Sequence, residues 1–321
     1  MRAGVHTSIA GALENAAHRA HEIGCDAFQM FSANPRGWRA QSISEAACNK
    51  FCEVRAGHGL TPLAIHANYL INLAAPDAVI RALSVAAFRA ELQRAIALGA
   101  DYVVLHPGSA RNGERGGAVA GFRESLLQAA RGIQFNGLTV LVENTAGQGN
   151  VLGSSFEELA EILGGVAGEI PAGLCIDTAH LFAAGYPIHT PRGLNQTVRR
   201  LDATIGLDKV RLVHANDSKT GFGSRCDRHA HIGEGYIGAD AFRRILRHPN
   251  LRLIPFICET PIDKPGDDRR NLDMIRRLGQ GKKDESEVRR QESEGRRAQL
   301  EPRTAHGSPA RQDGAATAWR S

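Results

Sequence analysis

The segment Thr139-Val-Leu-Val-Glu143-Asn-Thr-Ala-Gly-Gln-Gly149 sets the pattern of the chain: a short apolar run, then a carboxylate, then a turn of small and polar residues. An apolar run of this length bounded by turn residues reads as a buried strand. The unit recurs in Leu63-Ala-Ile-His66, Tyr102-Val-Val-Leu-His106, Gly173-Leu-Cys-Ile-Asp177, Val210-Arg-Leu-Val-His214 and Ile254-Pro-Phe-Ile-Cys-Glu259. Ala3-Gly-Val-His6 and Ala27-Phe-Gln-Met-Phe31 complete the series. Ala- and Leu-rich stretches at helical spacing lie between the runs, clearest over 10–23, 79–98, 119–134 and 156–162. Strands alternating with helices over about 280 residues predict an α/β chain folded as one (β/α)8 TIM barrel.

The polar residues argue for the same closure. His6, His66, His106, Glu143, Asp177, His214 and Glu259 all stand at or just after the C-terminal end of an expected strand. A barrel gathers those ends on one face, whereas an open sheet leaves its first and last strands far apart. With His180, Asp227 and His229 added and His6 set aside, nine ligand-type side chains are present, too many for one zinc ion with its usual four ligands. Asp177-Thr-Ala-His180 lets two side chains face neighbouring metals from one short turn. Asp227-Arg-His229 alternates along an extended segment, so both side chains point the same way and could share one ion with His180. In chain order, His66 and His106 serve one ion, the two oxygens of Glu143 could bridge to a second, and Asp177, His214 and Glu259 could complete that second shell. Two ions so bridged suit in-line attack on a phosphodiester. His6 is expected to orient a ligand or substrate, and His231, beside Gly233-Glu-Gly, to hold its loop.

Bulk properties limit the alternatives. The chain of 321 residues, 42% hydrophobic, is ample for one large core. No run approaches the roughly 20 apolar residues of a membrane span, and the start Met-Arg-Ala-Gly-Val-His is not a signal segment. The six cysteines, at 25, 48, 52, 175, 226 and 258, form no CxxC pair, which disfavours a thiolate zinc site and fits a reduced, cytoplasmic protein. Gly113-Glu-Arg-Gly-Gly lacks the phosphate-cradling spacing. Formal net charge is +5, of which residues 281–321 hold nine Lys or Arg against seven Asp or Glu. That segment alternates charge with almost no large apolar residue, so 1–280 is expected to be the folded domain and 281–321 a disordered charged tail.

The motifs, taken together, resemble the endonuclease IV type of apurinic/apyrimidinic (AP) endonuclease. The resemblance runs from Ala3 to about Leu278 through Val5-His-Thr-Ser, Asn34-Pro-Arg-Gly-Trp, Tyr69-Leu-Ile-Asn-Leu, Leu105-His-Pro-Gly-Ser and Val142-Glu-Asn-Thr-Ala-Gly-Gln-Gly. It continues in Cys175-Ile-Asp-Thr-Ala-His, His214-Ala-Asn-Asp-Ser-Lys, Asp227-Arg-His-Ala-His-Ile-Gly-Glu-Gly and Glu259-Thr-Pro. It implies a TIM barrel with three zinc ions that cleaves double-stranded DNA 5′ to an abasic deoxyribose, leaving a 3′-hydroxyl and a 5′-deoxyribose phosphate, and clears blocked 3′ ends. It also implies the division of ligands given above, with Glu143, Asp177 and Glu259 as the catalytic carboxylates. Arg36 and Tyr69 match residues that enter the DNA stack as the abasic nucleotide flips out. A monomer is expected, with no membrane partner. Ala12 stands where the family commonly has a glycine, and Cys226 is not part of the pattern; neither removes a ligand. The competing enzyme class is a divalent-metal sugar isomerase or epimerase, which needs neither His180 with Asp227 and His229 nor Arg36 and Tyr69.

Overall fold

The computed structural model describes residues 1–38 and 42–280; the expectation of a disordered tail over 281–321 lies outside the described residues. The strands are β1 (Ala3–Thr7), β2 (Phe28–Phe31), β3 (Leu63–His66), β4 (Tyr102–Leu105), β5 (Thr139–Glu143), β6 (Ala172–Asp177), β7 (Val210–His214), β8 (Asp217–Ser218), β9 (His229–Ala230) and β10 (Phe256–Cys258). β8 and β9 form a small antiparallel ribbon, and the others close a parallel barrel in the order β1-β10-β7-β6-β5-β4-β3-β2. The (β/α)8 expectation is met.

The helices are α1 (Glu14–Ile23), α2 (Glu45–Gly57), α3 (Ala78–Ala97), α4 (Arg115–Ala130), α5 (Phe156–Gly164), α6 (Thr178–Ala184), α7 (Pro191–Thr204), α8 (Ala239–Arg247) and α9 (Asp267–Gly279). Several begin at a start signal in the sequence. Asp77 caps α3 by accepting the N–H groups of Val79 and Ile80, and Thr190 caps α7 ahead of Pro191. The boundaries of α1 and α4 differ most from the periodicity, α4 being shifted four residues towards the N-terminus at both ends. α1 starts at Glu14 because Gly11 takes a left-handed φ of 93°, and α4 ends at Ala130, two residues before left-handed Gly132. None of these helices is long and apolar enough to cross a membrane.

Two apolar layers hold the barrel. The larger lies between strands and helices and includes Val5, Ile65, Val103, Val142 and Ile176. The smaller fills the barrel interior with Ala27, which immediately precedes β2, and with Ala64, Val104, Leu141, Cys175, Leu212 and Ile257, one from each of the other barrel strands except β1. Gly4 stands at the corresponding place on β1, where a Cβ would come within 1.7 Å of the Ala27 carbonyl oxygen. This interior layer positions everything that follows, because side chains alternate along a strand and the next inward residue is two positions on.

Candidate metal centre at the barrel mouth

Counting two residues on from the interior layer gives His6, Gln29, His66, His106, Glu143, Asp177, His214 and Glu259, one from each barrel strand. Seven of these are the strand-end residues singled out in the sequence. The eighth, Gln29, is fully buried and was not; a polar residue in the middle of apolar Ala27–Phe31 was its only signal.

Glu143 is the hub. Its Oε2 lies 3.3 Å from His66 Nε2 and 3.2 Å from His106 Nε2, while its Oε1 lies 3.1 Å from His214 Nδ1 and 3.3 Å from His180 Nδ1. His214 Nδ1 is also 3.2 Å from Glu259 Oε2. Asp177 caps α6 through its Oδ1, which accepts the N–H of His180 at 2.8 Å, and this fixes the short turn joining the two residues. Asp227 Oδ1 stands 3.2 Å from His180 Nε2 and 3.3 Å from His229 Nε2. Three groups of ligand atoms therefore lie within reach of single ions: His66 with His106 and Glu143; Glu143 with Asp177, His214 and Glu259; and His180 with His229 and Asp177, against which Asp227 packs. The nine residues expected to bind metal are brought together at one mouth.

Hydrogen bonds decide which imidazole nitrogen faces inward. His66 Nδ1 donates to the Ala67 carbonyl at 2.7 Å, His180 Nδ1 to Asn144 O at 2.9 Å, and His229 Nδ1 to Glu259 O at 3.0 Å. A carbonyl only accepts, so each of these nitrogens carries the proton and the other nitrogen presents a lone pair. Those lone pairs point at carboxylates. Glu143 Oε1, His180 Nε2, His214 Nδ1 and His229 Nε2 are buried without a hydrogen-bond partner. Buried polar atoms rarely go unmatched, and a lone pair facing a carboxylate oxygen needs a cation between them. A proton is one such cation. Burial pulls each imidazole down, yet the Asp177 charge with the Asp227 contact raises His229 to about 9, neighbouring carboxylates raise His66 and His180, and contact with Cys175 together with the Glu259 and Glu143 charges raises His214. Burial likewise pushes the carboxyls up, but the adjoining histidines hold Glu143, Asp227 and Glu259 below their usual range. A divalent ion is the other cation, and a set of imidazole and carboxylate donors suits zinc. Cys175 adjoins Glu143 and His214, but burial pushes its thiol up to about 12, so it is a neutral neighbour.

The frame around these residues comes from side chains the sequence reading passed over. Asn216 Nδ2 donates to Asp177 Oδ2 at 2.6 Å while its Oδ1 accepts the Glu259 N–H at 2.8 Å. Asn144 Oδ1 accepts the Asp177 N–H at 2.7 Å. Asp217, fully buried, accepts five backbone N–H groups, from Ser218, Gly233, Gly235, Ile237 and Gly238. It thereby ties β8 to the glycine loop that follows β9, the ribbon strand carrying His229.

His6 sits at the edge of the ligands, its Nδ1 3.7 Å from Glu259 Oε1 and its ring 4.5 Å from that of Phe31. His231 lies in a separate cluster with Asp263 and Asp267. There Asn271 Oδ1 accepts the Ile232 N–H, so its amide nitrogen donates to His231 Nδ1 at 2.9 Å, and His231 Nε2 keeps a proton facing Asp263 at 3.3 Å. That tautomer makes His231 a loop clamp and offers no lone pair to a metal.

A cavity of about 310 Å³ opens over the ligands and is walled by Phe31, Tyr69 and Ile262. Tyr69 is 65% exposed on this rim, its ring 5.2 Å from Phe31. Arg36 is exposed on the adjoining loop. Tyr69 N–H donates to Pro35 O at 3.2 Å and Asn68 Nδ2 to Gly37 O at 3.0 Å, so the two loops are tied together.

Comparison with known proteins places this arrangement. The family of xylose isomerase-like TIM barrels matches residues 17–278. A protein named "Probable endonuclease 4" from Solibacter usitatus is 53% identical over 284 residues, 88% of this chain and 98% of that one. A protein of the same name from Methanoculleus marisnigri is 41% identical, covering 86% of this chain and 98% of its own. The crystal structure of endonuclease IV from Thermus thermophilus superposes with a TM-score of 0.78 at 39% identity, covering 87% of this chain and 98% of that one.

Proposed function

The chain belongs to the endonuclease IV family, and from that premise we propose that it hydrolyses the DNA phosphodiester 5′ to an abasic site, yielding a 3′-hydroxyl and a 5′-deoxyribose phosphate, and removes 3′-blocking groups. The observation that carries the reading is the set of buried imidazole lone pairs aimed at carboxylates beneath a rim bearing exposed Tyr69. His66, His106 and Glu143 would hold one zinc, Glu143, Asp177, His214 and Glu259 a second, and His180, Asp227 and His229 a third. Zinc bound there supplies Lewis acidity toward a phosphate and lowers the pKa of water.

The protein's own part is placement. Glu143 faces His66 and His106 with one oxygen and His214 with the other, which suits a shared ligand. Asn216 holds the carboxylate of Asp177 and the backbone of Glu259 in fixed relation, so two of the three catalytic carboxylates proposed, Asp177 and Glu259 beside Glu143, are tied together before substrate arrives. Arg36 and Tyr69 lie on joined loops at the rim, where an aromatic ring and a guanidinium can fill the gap left by a flipped abasic nucleotide. A sugar isomerase or epimerase on the same fold has no use for an exposed tyrosine rim or for the His180–Asp227–His229 group, which favours the nuclease.

The test is incubation of a duplex carrying one synthetic abasic site with the protein before chelation, after it, and after zinc is restored. Cleavage 5′ to the site, lost on chelation and regained with zinc, is expected. Metal-reloaded protein that leaves the strand intact overturns the reading, and turnover of a ketose by that protein would support the isomerase instead.

A further inference from the structure

Gln29 stands on β2 at the same inward position that the other strands fill with a ligand or with His6, yet an amide is not a zinc ligand of this class. Three contacts define its role. Its Nε2 lies 2.5 Å from Glu259 Oε1 and 3.0 Å from His6 Nδ1, and its Oε1 lies 2.9 Å from His214 Nε2. A carboxylate only accepts, so the amide end beside Glu259 must be the NH2 group. The other end is then the carbonyl oxygen, which also only accepts. His214 must therefore carry its proton on Nε2, and Nδ1 is left as the lone pair, 3.1 Å from Glu143 Oε1 and 3.2 Å from Glu259 Oε2. His66, His180 and His229 take their tautomers from backbone carbonyls, whereas His214 takes its own from a side chain.

We propose that Gln29 is a positioning residue of the metal centre: it selects the His214 tautomer and orients the Glu259 carboxylate, and so sets how tightly the second ion is held. The proposal rests on the metal-centre reading above. It explains why a polar residue is buried in the middle of an apolar strand with its amide directed at the site. Removing an outer partner of a metal ligand costs about 10–100-fold in metal affinity.

The test uses the full chain and zinc as the probe. Gln29→Met keeps length and apolar packing but loses all three contacts, and Gln29→Glu keeps an acceptor for His214 Nε2 while facing Glu259 with a like charge. Bound zinc is counted by elemental analysis, its affinity is measured by chelator competition, and the His214 tautomer is read from long-range proton–nitrogen NMR of histidine-labelled, zinc-loaded protein. Folded Gln29→Met is expected to release one zinc about 10–100-fold more readily and to lose the single His214 tautomer. Gln29→Glu is expected to retain the tautomer but still hold that zinc more weakly, through Glu259. Gln29→Met that folds and matches the original chain in chelator competition and tautomer overturns the proposal. If Gln29→Met does not fold, unchanged zinc affinity in Gln29→Glu overturns it. Failure of the unsubstituted protein to take up zinc would instead overturn the metal-centre reading.

Discussion

Glu143 Oε1 lies 3.1 Å from His214 Nδ1, and both atoms are buried without a hydrogen bond. Nitrogen and oxygen from two different barrel strands are held this close because the interior layer beneath sets the strand positions.

Glu143→Gln tests the hub. The amide keeps the shape of the side chain but cannot share two anionic oxygens between His66 with His106 on one side and His214 on the other. Cleavage of an abasic duplex should fall by at least ~100-fold and zinc content should drop below that of the original chain, with circular dichroism unchanged. Full cleavage by Glu143→Gln would remove the bridging role.

Tyr69→Ala tests the rim. The side chain is 65% exposed, so stability should change by no more than about 0.5 kcal/mol. A stacking contact with DNA contributes about 1–3 kcal/mol, so binding of an abasic duplex should weaken roughly 5- to 150-fold, while zinc content stays constant. Unchanged affinity and unchanged DNA bending would mean that Tyr69 only packs on Phe31.

The zinc-free protein, prepared by chelation, should show a pH profile with a definite sign. His229 has its folded pKa raised to about 9, and His66, His180 and His214 are also raised. Their contribution is fully present below the unfolded value of about 6.5 and is lost as pH rises through the folded values. Glu143, Asp227 and Glu259 are depressed, so their contribution is present above about pH 4 and is lost on further acidification. Tm of chelated protein should fall between about pH 6.5 and 9, and zinc should flatten that fall by replacing the protons. Thermal scans with and without chelator check this, and a level chelated profile above about pH 6.5 contradicts it.

Asp217→Asn tests the frame. The amide cannot accept from all five backbone N–H groups that converge on the carboxylate, and its NH2 end would face donors. A loss on the order of 2–4 kcal/mol is expected in denaturant titration. The ribbon carrying His229 should loosen first, so the zinc held by His180, Asp227 and His229 should be the most readily chelated. Equal loss of all bound zinc would separate Asp217 from that loop.

Much of this was legible in the residues themselves. Strand runs with a ligand-type residue at the C-terminal end are local patterns, and the alternation of a strand carries such a residue to the inside whatever its neighbours are. Leu63–His66, Thr139–Glu143 and Val210–His214 have the bounds read from sequence, and the others differ by one or two residues at an end. Gln29 was missed because it lies inside its strand and has no partner nearby in sequence; Asp217 was missed because most of its partners are backbone groups of a loop 16 to 21 positions on.

By itself, then, the sequence determined the alternating barrel pattern, seven of the eight inward-facing positions at the mouth and the donor types, since each follows from short-range periodicity and side-chain chemistry. Only the tertiary structure decided which imidazole nitrogen faces the site and which groups hold it there. For His180, His229 and His214 those choices depend on acceptors brought from elsewhere in the chain: Asn144 O lies 36 positions from His180, Glu259 O lies 30 from His229, and Gln29 lies 185 from His214. A hydrogen bond is made between atoms adjacent in space, and barrel closure brings β2 and β7 within reach of one another across the mouth.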